Sequence, residues 1–273
     1  MTDLTINTSL ARQILTGFIR SEITRVGFTR AVVGLSGGID SALSCALAAE
    51  ALGPENVLAV RMPYKASSRD SLDHAQLLID QLGIPSETIE ITDMVDPLIS
   101  LDPDMSKTRK GNIMARARMI VLYDRSEDFK GLVVGTSNKT EILLGYSTLW
   151  GDMAAAINPI GDLYKTQVRQ LSRAMNIPAL IVDKPPSADL WAGQTDEDEL
   201  GFTYEQVDQL LYLLVDQRYL PEECVEAGFD KSFVDKVVTR IRRNQFKRMM
   251  PIIAKISNRT IGYDFLYLRD WGT

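Results

Sequence analysis

One short loop combines glycines, serines and a carboxylate in an order that suits phosphate binding. It consists of Gly34, Leu35, Ser36, Gly37, Gly38, Ile39, Asp40 and Ser41. The glycines let backbone N–H groups approach an anion closely, and the serine hydroxyls add further donors. A helix that begins within the loop adds the partial positive charge of its N-terminus. The loop is therefore predicted to bind phosphate groups.

Asp40 is the unexpected member of this loop, because a lone carboxylate repels phosphate. A magnesium ion that bridges the carboxylate and a phosphate oxygen removes this repulsion, since Mg²⁺ prefers oxygen ligands. The alternative is an ordinary tight turn from a strand to a helix, with Asp40 or Ser41 as the helix cap. The complete string at 36–41 favours the phosphate site. It is not the Walker pattern, because no Gly-Lys-Ser/Thr follows.

The elements that must position this loop alternate along the first part of the chain. Short apolar runs, almost continuous, predict buried strands at 31–35, 57–60, 88–91 and 132–135. Apolar residues at helical spacing predict helices at 8–26, 41–52, 70–82 and 108–124. Beyond residue 165 the pattern is helical, at 165–175, 204–217 and 231–249. The alternation predicts an α/β fold, a doubly wound parallel sheet with helices on both faces and a helical C-terminal extension.

The same pattern divides a single domain, residues 1–273, into three parts. The α/β core with the phosphate loop is expected over about 28–180, and the C-terminal helices over 203–250. Residues 183–201 are rich in Pro, Ser, Gly and acids, and are interpreted as a mobile loop. Loops that follow the carboxyl ends of parallel strands meet, so those after Leu35 and Gly135 are expected to converge.

The composition argues against several classes of function. The chain has 24% charged residues and a net charge of −6, so bulk electrostatics point neither to a nucleic acid nor to a membrane. A single histidine, His74, rules out His-based zinc sites. The two cysteines, Cys45 and Cys224, fit no metal-ligand spacing and favour a cytoplasmic protein. No apolar run approaches the ~20 residues of a membrane span.

The string Ser-Gly-Gly-Ile-Asp-Ser at 36–41 resembles the pyrophosphate loop of the N-type ATP pyrophosphatases. Further segments narrow the resemblance to the NAD synthetases within that superfamily. These segments are 110–112, 115–119, 135–141, 158–166, 184–190 and 193–201. The similar stretches extend from about residue 31 to residue 248, which is most of the chain.

This resemblance implies an adenine nucleotide α-hydrolase-like fold and a ligase activity. NAD synthetases amidate deamido-NAD to NAD, the last step of NAD biosynthesis, with ATP, magnesium and ammonia. The nicotinate carboxylate attacks the α-phosphorus of ATP to give an adenylated intermediate and pyrophosphate, and ammonia then displaces AMP. Such chemistry depends on aligning two anions and neutralising their charge, so it needs no nucleophilic side chain.

The resemblance also implies roles for individual residues. The loop at 34–41 would bind the phosphates of ATP, and Asp40 and Glu141 would ligate Mg²⁺ as the catalytic residues. Three further residues match ATP-binding positions, namely Thr136, Lys165 and Ser187. Three others are candidates for contacts with deamido-NAD, namely Arg116, Asp152 and Lys247.

Three positions depart from the short ammonia-dependent NAD synthetases. Leu149, Ala156 and Phe246 stand where those proteins commonly carry lysine, aspartate and histidine. The string at 145–153 looks more like the synthetase domain of glutamine-dependent NAD synthetases, which carry an N-terminal glutaminase. The stretch before residue 31 has no room for a glutaminase. The chain is therefore expected to use free ammonia, or ammonia from a separate glutaminase subunit.

Two surfaces have more than one interpretation. Members of the family are homodimers with the substrate site at the interface, and the apolar helices 8–26 and 108–124 are the expected contact surface. Alternatively, their apolar faces pack only on their own sheet. The basic residues at 240–243 and 247–248 either lie on a solvated helix face or bind phosphate.

Other functions stay open from the sequence. One is another adenylating ligase of the superfamily that acts on a different carboxylate, which the departures at Leu149 and Ala156 allow. A second is a non-catalytic nucleotide-binding or scaffold protein on the same fold, against which the retained Asp40 and Glu141 argue. A flavodoxin-like module explains less, because nothing in it accounts for Asp40 inside a glycine loop.

Overall fold

The computed structural model describes residues 3–187 and 195–266. Its strands are β1 (Arg30–Gly34), β2 (Val57–Arg61), β3 (Ser86–Thr88) and β4 (Gly131–Val134). They form one parallel sheet in the order β3-β2-β1-β4. Val33 of β1 lies opposite Ala59 of β2 and opposite Val134 of β4. Because the chain adds strands on both sides of β1, the loop after β1 lies at the switch point of the sheet, where ligands bind in such folds.

Helices account for most of the remaining ordered chain. Those before and between the strands are α1 (Thr8–Arg25), α2 (Ile39–Leu52), α3 (Arg69–Leu82), α4 (Thr92–Ile99) and α5 (Lys107–Phe129). Those after the last strand are α6 (Lys139–Leu144), α7 (Lys165–Ala174), α8 (Ala179–Val182), α9 (Asp196–Leu200), α10 (Tyr204–Leu211), α11 (Pro221–Glu226) and α12 (Lys231–Arg243). Within residues 3–187 and 195–266, no helix combines the length and hydropathy that a membrane span requires.

Helices cover both faces of the sheet, as the almost continuous apolar strands predicted. On one face Val33 clusters with residues of α1, α2 and α7, among them Ile19 and Leu43. On the other face Val32 clusters with α4 and α5, for example through Val121. Both valines of β1 are fully buried. The prediction of a doubly wound parallel sheet is thereby confirmed.

The helices after residue 200 form a third apolar cluster beside the sheet. Val207 of α10 and Val237 of α12 are fully buried in it, together with Leu144 at the end of α6. Tyr164, which precedes α7, belongs to the same cluster. The C-terminal extension therefore packs directly on the two helices that follow β4. The predicted division into 28–180, 183–201 and 203–250 stays a prediction.

One strand lies earlier than predicted. β3 spans Ser86–Thr88, whereas the apolar pattern placed a strand at 88–91. Backbone pairing with β2 begins one residue before β3, because Ala59 N donates to the Pro85 carbonyl at 3.0 Å. Ile91 is the N-cap of α4, so the chain has to turn there. Ile91 packs with α4 and α5, and its N–H still donates to the Pro63 carbonyl at 2.9 Å, so pairing beside β2 continues to the start of α4.

Two C-terminal helical segments change from α-helix to another helix type before their predicted ends. The segment predicted at 204–217 changes from α10 to a π-helical turn at Tyr212–Asp216, and that predicted at 231–249 changes from α12 to a 3-10 turn at Gln245–Arg248. Where α12 ends, the Asn244 side-chain amide donates to the Arg240 carbonyl at 3.0 Å. The Arg240 carbonyl thus accepts from both the backbone N–H, at 3.1 Å, and the side chain of Asn244 at the end of α12.

Part of the predicted loop at 183–201 is helical. Thr195 caps α9, and its Oγ1 accepts a hydrogen bond from Asp198 N at 3.2 Å. The acidic residues of the first turn suit the positive end of the helix, which explains why this polar stretch folds. Residues 188–194, the centre of the predicted loop, lie outside the described residues, and the mobility of the loop stays a prediction.

Candidate active site

The predicted phosphate loop connects the end of β1 to the start of α2. Gly38 is the N-cap of α2, so no capping side chain covers the amides of the first turn. The hydroxyl oxygens of Ser36 and Ser41 lie 3.0 Å apart, and Ser41 also donates to the Gly38 carbonyl at 3.0 Å. The serines therefore hold the loop closed while the helix N-terminus stays open to an anion.

Gly37 fixes the loop against α3. Its φ is +80°, a conformation that residues with a side chain rarely adopt. A Cβ at this position would lie 2.1 Å from the carbonyl oxygen of Ser71, which is closer than any real contact. Gly37 is accordingly required for the shape of the loop, and it does not itself line the cavity described below.

Lys165, the first residue of α7, joins two carboxylates from different strand-end loops. Its Nζ lies 2.5 Å from Oδ2 of Asp40 and 3.1 Å from Oε1 of Glu141. The Lys165 side chain is only 2% exposed. Asp40 follows β1 and Glu141 follows β4, so the expected convergence of these two loops is present in the fold. Three residues that the sequence singled out thus form one buried ionic cluster.

The charged groups of this cluster shift one another's pKa values. Burial raises the pKa of Glu141 to about 8, against the opposing charge of Lys165 and with some help from Asp40. Burial alone lowers the pKa of Lys165, but the two neighbouring carboxylates outweigh it and raise that pKa above its ordinary value. Lys165 is therefore a cation, and any further positive charge nearby favours the ionised form of Glu141.

Asn138 is a member of the cluster that the sequence reasoning missed. Its Nδ2 donates to Oδ1 of Asp40 at 2.8 Å, and its Oδ1 accepts from the backbone N–H of Glu141 at 3.0 Å. The backbone N–H of Asn138 in turn reaches Oε2 of Glu141 at 3.3 Å, which completes a capping box at the start of α6. The spacing of Asn138 and Glu141, three residues apart before an apolar run, is a recognisable signal for such a box.

The acidic stretch before Gly201 contributes a second missed group. Asp196 of α9 is buried, and its two carboxylate oxygens accept from Tyr204 at 3.0 Å and from Tyr146 at 3.1 Å. The ring centre of Tyr204 lies 5.1 Å from Nζ of Lys165, so this group adjoins the ionic cluster. Burial raises the pKa of Asp196, and Lys165 opposes that shift. Nothing in the local sequence pairs these residues, because the contacts are made across the fold.

One cavity of about 750 Å³, a size typical of small-molecule and cofactor sites, is lined by members of both groups, namely Asp40, Glu141, Tyr146, Lys165 and Asp196. Most of the predicted ligand-binding residues beyond the loop also line it: Thr136, Glu141, Asp152, Lys165, Ser187 and Lys247. Arg116 differs, because it is exposed and donates to the Leu149 carbonyl at 3.2 Å outside the wall. Arg118, two residues along α5, lines the cavity instead.

The basic residues near the C-terminus have two kinds of environment. Arg242 and Arg243 are exposed on α12, whereas Arg240 and Lys247 line the cavity, and phosphate binding by them stays a prediction. Lys247 donates to the carbonyls of Gly145 and Ser147 at 2.7 and 2.8 Å, and Arg248 donates to the Leu143 carbonyl at 2.8 Å. Arg240 reaches the Leu144 carbonyl at 3.2 Å. Cations are stabilised at the negative end of a helix, and these three cover the carbonyl end of α6 and the turn after it.

The carboxylates fit the magnesium ion that the family resemblance implies. Asp40 and Glu141 approach one and the same ammonium group, so both point to a place that already favours a cation. Within the described part of the chain, no group of three or more Cys, His, Asp or Glu side chains could hold a metal ion. Mg²⁺ commonly takes one or two carboxylates and completes its shell with phosphate and water oxygens, which agrees with this donor set.

The fold and the cavity define the class of protein, an α/β protein of the adenine nucleotide α-hydrolase type with its ligand cavity at the strand-end loops. Residues 11–251 match the family described as NAD synthase. The chain belongs to the NAD synthase family. The family resemblance drawn from the motifs is thereby confirmed.

Relatives of similar length carry a more specific name. The chain is 57% identical over 272 residues to the NH(3)-dependent NAD(+) synthetase of Trichlorobacter lovleyi, with 100% of both chains covered. It is 52% identical over 256 residues to the protein of the same name from Fusobacterium nucleatum, covering 94% of this chain and 99% of that one.

Solved structures agree with these relatives. The NMN synthetase from Francisella tularensis superposes with a TM-score of 0.82 at 32% identity, covering 92% of this chain and all of that one. The NH3-dependent NAD synthetase from Campylobacter jejuni gives 0.79 at 34% identity, with the same coverage. The glutamine-dependent NAD+ synthetase from Acinetobacter baumannii gives 0.69 at 30% identity, and there 98% of this chain covers 50% of that one.

Proposed function

We propose that this chain amidates deamido-NAD to NAD with ATP and ammonia, and releases AMP and pyrophosphate. The observation that carries the proposal is the convergence of Asp40, Glu141 and Lys165 beside the open N-terminus of α2, in the wall of the cavity. Membership in the NAD synthase family, and a 57% identical relative named NH(3)-dependent NAD(+) synthetase, support it.

The loop at 34–41 grips the β- and γ-phosphates of ATP. The amides at the start of α2 donate to phosphate oxygens, the hydroxyls of Ser36 and Ser41 keep the loop in shape, and Lys165 adds a positive charge. Thr136 and Ser187, which line the same cavity, complete the ATP side. Binding the departing pyrophosphate more firmly as its charge grows lowers the barrier of the adenylation step.

Asp40 and Glu141 are the residues that would hold Mg²⁺. When bound, the ion neutralises charge on the phosphate chain and orients the α-phosphorus for attack. The nicotinate carboxylate then approaches from the side of Asp152 and Lys247, both in the cavity wall. Ammonia attacks the adenylated carboxyl carbon, AMP leaves, and one proton is released. Residues of α9, including Asp196, help to shield this step from water.

Free ammonia is the nitrogen source in this proposal, with a separate glutaminase as a further supplier. The full-length alignment with a relative named NH(3)-dependent supports ammonia. The test is an assay of the purified chain with deamido-NAD, Mg²⁺ and ATP, and with ammonium or glutamine as donor. We expect NAD, AMP and pyrophosphate in equal amounts with ammonium. Efficient use of glutamine by the chain alone would contradict the proposal.

A second substrate deserves the same assay, because the structure with the TM-score of 0.82 is named an NMN synthetase. Such an activity amidates the mononucleotide rather than the dinucleotide. Nicotinate mononucleotide is therefore supplied in place of deamido-NAD at equal concentration. We expect a kcat/KM at least ten times higher for deamido-NAD, since a site that binds the second nucleotide gains contact area. A preference for the mononucleotide would reassign the substrate.

Two variants test the assignment of Asp40 and Glu141 as the metal ligands. Asp40→Asn and Glu141→Gln keep the size of each side chain and remove its charge. Because a bound metal contributes several kcal/mol of charge stabilisation, each change is expected to lower kcat/KM by about 100-fold or more. Activity that stays within about threefold of the unmodified chain in both variants would remove these two residues from the metal site.

A homodimer is the assembly we propose. α1 leaves Leu10, Ile14 and Phe18 between 38% and 58% exposed, and α5 leaves Ile120 and Tyr123 about half exposed. Surfaces of this kind are commonly covered by a partner. Light scattering that gives the mass of one chain would contradict the dimer.

The free thiols Cys45 and Cys224, both buried, suit the cytoplasmic location expected from the sequence.

A further inference from the structure

Asn138 lies between the two carboxylates that the proposed function assigns to Mg²⁺. It is fully buried and comes from the loop after β4, whereas Asp40 comes from the loop after β1. Its side chain donates to Asp40 at 2.8 Å and accepts from the Glu141 backbone at 3.0 Å. One planar amide thus connects two residues that are about a hundred positions apart in the chain.

The orientation of this amide is fixed by chemistry. The backbone N–H of Glu141 can only donate, so the amide oxygen has to face it. The ionised Asp40 can only accept, so the NH₂ group has to face Asp40. Turning the amide over would place two acceptors together and two donors together. The structure therefore demands a residue with a donor and an acceptor on one short, rigid side chain.

The remaining carboxylate oxygens face the cation side of the cluster. Oδ1 of Asp40 is taken by Asn138, and Oδ2 contacts Lys165. Oε2 of Glu141 is within 3.3 Å of the Asn138 backbone N–H, and Oε1 contacts Lys165. In each carboxylate, Asn138 thus contacts the oxygen that Lys165 does not contact. The other oxygen of each carboxylate faces the positive charge of Lys165.

We propose that Asn138 is the positioning residue of the metal site, whose side-chain amide sets the orientation of Asp40 relative to Glu141. It acts through these two residues and does not itself reach the metal. The inference rests on the proposed function, because it takes Asp40 and Glu141 as the Mg²⁺ ligands. Hydrogen bonds that orient ligating side chains are commonly needed for full metal affinity.

The decisive variant is Asn138→Ser. Serine is a good N-cap, so it keeps the hydrogen bond to the Glu141 N–H and the start of α6. Its shorter side chain does not reach Asp40. Asn7→Ser is the matched control, because Asn7 caps α1 in the same way, accepting from Leu10 N at 3.0 Å, and lies on an exposed helix end. Asn138→Thr is a second variant with the same logic.

The measurement is Mn²⁺ binding, followed by electron paramagnetic resonance of the free ion, with a non-hydrolysable ATP analogue present. We expect Asn138→Ser to weaken Mn²⁺ binding by about 10- to 100-fold and Asn7→Ser to leave it unchanged. The melting temperatures of the metal-free proteins should stay close to that of the unmodified chain. In the double variant with Asp40→Asn the two losses should not add, because Asn138 acts through Asp40.

The outcomes separate this inference from the proposed function. If Asp40→Asn and Glu141→Gln themselves leave Mn²⁺ binding intact, the metal assignment fails. If those two weaken binding but Asn138→Ser and Asn138→Thr do not, only the role of Asn138 is overturned. Losses that simply add in the double variant would overturn it as well. Failure of both Asn138 variants to fold would assign the residue to the structure of α6 alone.

Discussion

The hydroxyl of Thr140 donates to Oδ1 of Asp208 at 2.6 Å, and both side chains are fully buried. Thr140 belongs to α6 and Asp208 to α10, so this bond joins the α/β sheet region to the C-terminal helices. Oδ2 of Asp208 accepts from the backbone N–H of Thr166 at 2.8 Å, and the oxygen of Thr140 accepts from that of Lys165 at 3.0 Å. A buried carboxylate from α10 therefore holds the first turn of α7, where Lys165 supplies the cation of the ionic cluster.

Thr140→Val removes this hydroxyl and keeps the shape of the side chain. Asp208 then lacks a donor and the Lys165 N–H lacks an acceptor, and each buried unsatisfied group costs about 1–3 kcal/mol. We expect urea unfolding to give a free energy of unfolding lower by about 2–4 kcal/mol in total. Thr140→Ser, which keeps the hydroxyl, should lose less than about 1.5 kcal/mol. Equal losses in the two variants would mean that the hydroxyl contributes little.

Lys165→Met tests the buried cation. The change leaves Asp40 and Glu141 facing each other without their shared partner, and breaking a buried ion pair typically costs about 3–5 kcal/mol. We expect both a loss of stability of that order in denaturant unfolding and a strong rise of KM for ATP. The control is Lys231→Met. Lys231 is 74% exposed and pairs with Asp235 one turn away, so its loss should leave the stability almost unchanged.

Part of the stability lost in Lys165→Met should return when Mg²⁺ and ATP are added, since the ion supplies the missing positive charge. The ligand-dependent shift of the melting temperature is therefore compared between the variant and the unmodified chain. If Lys165→Met is as stable as Lys231→Met, the ammonium is not needed to hold the carboxylates, and the electrostatic account of the cluster is wrong.

Gly37→Ala separates backbone strain from steric exclusion in the phosphate loop. A left-handed backbone at a non-glycine residue costs roughly 1–2 kcal/mol, and Gly27→Ala pays only this cost because nothing lies within 4 Å of its added Cβ. Gly37→Ala also pushes the loop away from the Ser71 carbonyl. We expect Gly37→Ala to lose more stability than Gly27→Ala. Only Gly37→Ala should lose ATP affinity, as measured by calorimetry. An unchanged ATP affinity in Gly37→Ala would show that the loop tolerates the shift.

The buried carboxylate of Glu141 makes stability depend on pH. Its pKa rises from the ordinary 4.5 to about 8 on folding, so between these values the folded state binds more protons than the unfolded state. Stability of the metal-free protein should therefore fall as the pH rises through this window, by at most about 1.4 kcal/mol per pH unit for one proton. Glu141→Gln carries no such group and should lack this component.

Urea unfolding of both proteins at several pH values between 4.5 and 8 gives the comparison. We expect the free energy of unfolding of Glu141→Gln to rise relative to that of the unmodified chain as the pH rises. Mg²⁺ with ATP should reduce the shift, because metal binding favours the ionised carboxylate. Parallel pH profiles for the two proteins would exclude a raised pKa at Glu141.

The local pattern of apolar residues predicted those strands and helices whose buried residues follow the period of the element itself. The apolar runs gave β1, β2 and β4 within about a residue at most boundaries, because a strand buried on both faces has to be apolar throughout. The same reasoning placed β3 too late along the chain, because Ile91, which caps α4, is buried against α4 and α5. It also missed α9, whose acidic first turn is stabilised by a helix dipole and a cap rather than by apolar spacing.

The sequence by itself determined the family, the parallel sheet and the two strand-end loops that supply Asp40 and Glu141. These follow from short-range order, namely a glycine loop between a strand and a helix and the motifs that surround it. Only the tertiary structure decided that Lys165 is the shared cation, that Asn138 connects the two carboxylates, and that Lys247 covers a helix end. Such contacts join residues from separate elements, and their partners are selected by packing and by the need to satisfy buried polar groups, which no local spacing encodes.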